Sequence, residues 1–127
     1  MFRIVRHCSE RLPGGARRWR ALARAAGFSG TLTIRGYGVG GAIGAGQRAL
    51  WRDRTGEAVL GQYDCGSRID VWVRHAPDSR IGMVADPYIV FAHELGHYRI
   101  TQRGARPRDE ERAADAIGAR LRKKVAR

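Results

Sequence analysis

The spacing of apolar residues divides the chain into recognisable elements. After the break at Pro13-Gly14-Gly15, Trp19, Leu22, Ala23 and Ala26 recur at helical intervals, while Arg17, Arg20 and Arg24 fall on another face. This predicts an amphipathic helix that Gly27 ends. Thr31-Leu32-Thr33-Ile34 alternates as a short strand does, and Ala49-Leu50-Trp51 and Ala58-Val59-Leu60 flank the turn-like Asp53-Arg54-Thr55-Gly56, which predicts a hairpin. Ser67 to Arg74 alternates again. Ile69, Val71 and Val73 share one face and Asp70, Trp72 and Arg74 the other, so a half-buried strand is expected, broken at His75-Ala76-Pro77-Asp78-Ser79.

Two helices follow. Asp86-Pro87 suits an N-cap and first helical position, and Gly104 supplies a stop after Arg103. Arg108 to Val125 carries Ala114, Ile117, Leu121 and Val125 as an inward stripe, with Arg112, Arg120, Arg122 and Lys123 outside. The sum is one α+β domain over residues 1–127, because a chain of this length supports a single modest core.

Composition changes the picture in one respect. Hydrophobic residues make up 43% and charged residues 28%, as in ordinary globular chains, but 24 basic against 12 acidic residues leave a net charge of +12, and all the basic residues except Lys123 and Lys124 are arginine. Such an excess attracts phosphate backbones or acidic protein faces, so nucleic acid is one candidate partner and an acidic substrate another. Cys8 and Cys65 show no C-x-x-C spacing and predict buried or inert thiols. Charge interrupts the N-terminus before a signal-peptide core can form, and the longest apolar run, around Pro87 to Ala92, is far below a membrane span. A cytoplasmic protein without membrane contact is expected.

The glycine-dense Gly36 to Gly46 contains a formal G-x-G-x-x-G at Gly36, Gly38 and Gly41, yet no helix pattern opens at its last glycine. Gln47-Arg48 also stands where a phosphate loop needs Lys then Ser or Thr, so a mobile loop or irregular hairpin is expected and a nucleotide site is not. Trp51 and Trp72 read as core residues before base-stacking ones, and His7 beside Cys8 lacks the converging ligands of a metal site.

Chemistry concentrates in His93-Glu94-Leu95-Gly96-His97. Residues four apart stand one above the other on a helix, so both imidazoles can meet a single zinc ion, and Glu94, one position round, can serve as general base toward a coordinated water. The apolar neighbours Val90, Phe91 and Leu95 imply burial, which such polar groups tolerate only with partners. A third ligand is still needed, and no histidine follows His97. Among the acids of the last helix, Asp109 and Glu110 fall in the first turn, where acids often serve the helix dipole. Glu111 and Asp115 border the inward stripe. Glu111 is therefore the expected third ligand, with Asp115 accepting the free ring N–H of His93 or His97.

The pairing of His93-Glu94-Leu95-Gly96-His97 with Glu111-Arg112-Ala113-Ala114-Asp115 resembles the zincin metallopeptidases whose third ligand is glutamate. The likeness spans about residues 86–121 and is nearest the small soluble ImmA/IrrE-type peptidases, with a further similarity in the second helix to HtpX-type enzymes. It implies an N-terminal helix, a small twisted, mainly antiparallel sheet, the zinc helix beneath it and a glutamate-bearing helix. It also implies a peptide or protein substrate, often a DNA-binding regulator, and hydrolysis by zinc-activated water with Glu94 moving the proton. A substrate could pair along Ser67 to Arg74 if that strand were an edge. Candidate donors to a developing oxyanion are Tyr88, His75 and Tyr98. A second reading from the net charge is a regulatory or nucleic-acid-associated protein, of phage or mobile-element type, that uses a zincin core for binding.

Overall fold

A computed structural model of the chain describes residues 1–6, 12, 14–36, 61–74, 86–104 and 106–126. In chain order the elements are β1 (Arg3–Arg6), α1 (Ala16–Ala26), β2 (Thr31–Gly36), β3 (Gly61–Tyr63), β4 (Arg68–Arg74), α2 (Pro87–Arg103) and α3 (Glu110–Val125). The hairpin expected around Asp53 to Gly56, nearly all of the Gly36 to Gly46 stretch, and His7, Cys8, Trp51 and His75 lie outside the described residues.

α1 forms for the reason its pattern gives. Trp19, Leu22, Ala23 and Ala26 are its buried residues, and Gly27, at φ 73°, closes it by adopting the left-handed conformation. Phe28 then turns inward, its N–H donating to the Ala23 carbonyl.

The four strands lie in the order β1-β2-β4-β3. β1 pairs with β2 and β2 with β4 in parallel, and among the described residues only β3 and β4 run antiparallel. The expectation of a mainly antiparallel sheet is therefore corrected to a mixed one. One of the two parallel pairs comes from the strand β1, unexpected from sequence, which precedes the N-terminal helix. A helix between two sheet-neighbour strands returns the chain to the same end of the sheet, and the strands on either side of α1 run in one direction. Residues 64–67 make a tight reversal between β3 and β4. Asp64 Oδ1 accepts from the N–H groups of Gly66 at 2.8 Å and Arg68 at 3.0 Å, an arrangement that fixes this four-residue loop.

Two further expectations change. β4 is paired on both sides, so it is an interior strand, and among the described residues the edges belong to β1 and β3. Nor is it half-buried around Asp70, which is enclosed along with Ile69 and Val71, its Oδ2 3.3 Å from the Arg68 guanidinium.

The helices pack on one another and α2 packs on β3 and β4. Trp19 stacks on Phe91 at 5.1 Å between ring centroids and meets Tyr88 edge-on, while Leu32, Ile34, Ile69 and Val71 supply the sheet side of the core. The approach of α2 to α3 depends on glycine. A Cβ on Gly96 would stand 2.3 Å from the Ala114 carbonyl oxygen, and one on Gly118 2.7 Å from that of Ala92. Each helix thus sets a glycine against the other's backbone, which brings the start of α3 over the middle of α2. Among the described residues, no helix is long and apolar enough to cross a membrane.

Candidate metal centre

α2 begins as its sequence predicts. Asp86 accepts from the Tyr88 N–H at 2.9 Å, Pro87 occupies the first turn, and Gly104 ends the helix at φ 77°. His93 and His97 lie one turn apart on the side facing α3, with Nε2 atoms 3.1 Å from one another. α3 is capped by Asp109, which accepts from the Arg112 N–H at 3.1 Å, and this start sets Glu110, Glu111 and Asp115 against the two rings.

Glu111 closes the triangle. Its Oε2 is 2.8 Å from Nε2 of His93 and its Oε1 3.1 Å from Nε2 of His97. The side chain is 74% exposed, yet it bends back over the rings instead of extending into solvent. His93, His97 and Glu111 each present one ligand atom within 4.8 Å of the others, a group positioned to bind a metal ion. Tetrahedral coordination with bonds of about 2.0–2.1 Å sets ligand atoms roughly 3.3 Å apart. The present spacings of 2.8, 3.1 and 3.1 Å need only small outward movements of the rings and of the exposed carboxylate.

The far nitrogens decide the tautomers. Nδ1 of His93 lies 2.6 Å from Asp115 Oδ1, and Nδ1 of His97 lies 3.0 Å from Glu110 Oε2. A carboxylate opposite each Nδ1 holds the proton there and leaves the Nε2 lone pair directed at the common point, the arrangement that orients histidine ligands. Asp115 takes the place expected of it, on His93. Glu110 corrects the reading of a purely dipolar first-turn acid, since it also lies 3.8 Å from Nε of Arg106 and so joins that guanidinium to the His97 ring. A sequence signal for Glu110 existed. Two ligand histidines need two Nδ1 partners, and Asp115 can serve only one.

Burial alone would lower the His93 pKa, but the hydrogen bond to Asp115 and the charges of Glu94, Asp115 and Glu111 outweigh it and raise it above 6.5. Glu94 points the other way, toward β3, and is only 7% exposed. Loss of hydration drives its pKa up to about 7, opposed by His93 and His97, reinforced by Glu111 and moderated by the Tyr63 backbone N–H. That N–H is a functional contact the sequence did not reveal. It depends on Gly61, where a Cβ would come within 2.5 Å of Val90 Cγ1 and 3.1 Å of Glu94 Cγ, so glycine lets β3 settle on α2.

Between β3 and the two helices lies a cleft of about 260 Å³. Gly61, Gln62 and Tyr63 line one side, and Glu94, His97, Thr101, Glu110 and Glu111 the other. Tyr88 and Tyr98 line none of it. Tyr88 is buried against Trp19 with the Arg18 guanidinium 3.8 Å over its ring, and Tyr98 donates its hydroxyl to the Gly27 carbonyl at 3.1 Å. Their expected part in stabilising an oxyanion is corrected to packing between α1 and α2.

Comparison with family models, with curated proteins and with solved structures yields no match. The geometry itself therefore carries the functional argument.

Proposed function

We propose that the chain is a zinc-dependent metallopeptidase of the zincin type, similar to the ImmA/IrrE-type enzymes, in which His93, His97 and Glu111 hold the ion and Glu94 is the general base. One observation carries this reading. The Nε2 atoms of two histidines converge with one carboxylate while Glu94, adjacent in sequence, is turned aside into a buried position at the cleft. A structural site has no need of such a fourth group, whereas hydrolysis does.

Zinc, when bound, supplies Lewis acidity and lowers the pKa of a coordinated water toward about 7. The residues do the rest. Glu94, with a pKa pushed up to about 7, is able both to accept a proton and to return it to a leaving amine. Asp115 and Glu110 hold the rings in place. The outer edge of β3, unpaired among the described residues and bordering the cleft, offers main-chain groups to an extended peptide, the role considered from sequence for Ser67 to Arg74.

The test is Glu94→Gln in zinc-loaded protein with fluorescently labelled casein as substrate. Cleavage falling by about 10²–10⁴ with zinc content unchanged supports the enzyme. Absence of cleavage by the zinc-loaded parent, or equal cleavage by the variant, refutes it.

A second reading has its own observation. Arg17, Arg20 and Arg24 are exposed along α1, whose first turn carries no acid. This favours a regulatory or nucleic-acid-associated role in which the metal core serves binding. Duplex DNA binding that weakens with salt and disappears in the triple Arg→Gln variant, with no peptidase activity in the parent, would favour it over hydrolysis.

A further inference from the structure

Away from the metal centre, the last turn of α2, the connection after it and the outer side of α3 enclose an open groove of about 540 Å³. Its floor is apolar, formed by Ile100, Pro107, Ala113, Ala116 and Ile117, and its rim carries Arg103, Arg106 and Arg120. The three cations are not equivalent. Arg106 is engaged by Glu110 at 3.8 Å, but among the described residues Arg103 and Arg120 have no acidic partner. An apolar floor beneath two guanidiniums that no described acid meets is incomplete in a definite chemical sense. Among the described residues it lacks a bulky apolar group to cover Ala116, which is exposed, and carboxylates to meet Arg103 and Arg120.

We propose that this groove is a docking site for an acidic segment of a partner protein, one that inserts a large apolar side chain between α2 and α3 and sets Asp or Glu against Arg103 and Arg120. Charge complementarity and shape select this occupant. Guanidinium groups pair with carboxylates in a planar, two-point manner that fixes orientation. The groove is open along one side, which suits a side chain presented by a peptide better than a small molecule, whose sites enclose most of its surface. Its concave floor keeps the apolar atoms from reaching a flat bilayer. Among the described residues it has no aromatic platform on which a nucleic-acid base would stack. The proposal does not depend on the peptidase reading, because the groove and the metal centre use different side chains.

Fluorescence anisotropy tests it, with a labelled peptide of sequence Glu-Asp-Glu-Trp-Leu-Glu-Asp-Glu on the full chain. Two control peptides replace Trp-Leu by Ser-Ser or every acid by its amide. The expected result is binding of the parent peptide that is at least about tenfold tighter than either control, since each contribution is worth a charge-assisted hydrogen bond or a buried side chain. Arg103→Gln combined with Arg120→Gln, and separately Ala116→Phe, which fills the groove from an exposed position, should each weaken it by a similar factor. Circular dichroism and zinc content should be unchanged in both. Equal binding of the Ser-Ser control would reduce the effect to diffuse electrostatics and overturn the proposal. So would unaltered binding by both variants, or binding of phosphatidylglycerol vesicles or dodecanoate that these variants abolish in the absence of any peptide effect.

Discussion

α1 and α2 share one core but are built on opposite terms. α1 keeps every charged side chain outside and buries Trp19, Leu22, Ala23 and Ala26, so burial alone accounts for it. α2 is enclosed on most sides and places two histidines and a glutamate among Tyr88, Phe91 and Leu95. Three carboxylates from α3 offset part of that cost at the histidines, but among the described residues nothing of opposite charge is set directly on Glu94 other than the rings themselves. One helix is explained by stability, the other by what its polar groups do.

The contrast can be broken first at its apolar end. Trp19→Ala should destabilise the protein by about 3–5 kcal/mol, because it empties a fully buried site stacked on Phe91. Urea unfolding measures this, and a loss below about 1 kcal/mol would mean that α1 does not anchor the core.

At the polar end the sign reverses. Glu94 has its folded pKa raised from 4.5 to about 7, so its stabilising contribution is complete below about pH 4.5 and is lost as pH rises through 7. In metal-stripped protein, Glu94→Gln should therefore be more stable than the parent at pH 8.5, on the order of 3 kcal/mol, with the difference shrinking toward pH 5. Equal stability at pH 8.5 would show that Glu94 bears no burial cost. A residue whose neutralisation stabilises the fold while abolishing cleavage is the signature the proposed function requires.

The carboxylates that orient the rings come next. Asp115→Asn and Glu110→Gln should each weaken zinc affinity by about 10–100-fold without removing the site, as loss of an orienting partner does. A competition titration against a chelating dye reads the change. If only Asp115→Asn has an effect, the Glu110 contact at 3.0 Å has no part in holding His97. Smallest of all, Arg17→Gln, Arg20→Gln and Arg24→Gln on α1 should alter folding stability by less than about 0.5 kcal/mol each, since these side chains are exposed.

How much of this was legible in the sequence follows the same division. Local signals were read correctly: the α1 stripe, the Asp86-Pro87 start, the glycines at 27 and 104, and the histidine spacing all report forces acting within a few residues. Asp115 and Glu111 were reachable because the inward stripe of α3 orients them. Strand direction was not legible, since β1 has only four residues with arginine at both ends and its partner is fixed across α1. Glu110 and the Tyr63 N–H were missed for a related reason. The need for a second Nδ1 partner was legible, but that Glu110 supplies it, and that the Tyr63 N–H meets Glu94, follow only once Gly96, Gly118 and Gly61 allow backbones to meet at distances no sequence pattern encodes.

The most direct measurement is the metal content of the purified chain and of Glu111→Ala, His93→Ala and His97→Ala after dialysis against zinc. One zinc per parent chain, with stoichiometric retention lost in all three variants while circular dichroism remains helical, is the predicted result. Full zinc retention by Glu111→Ala, or no bound metal in the parent, would contradict the assignment of α2 and α3 as the two halves of one metal site.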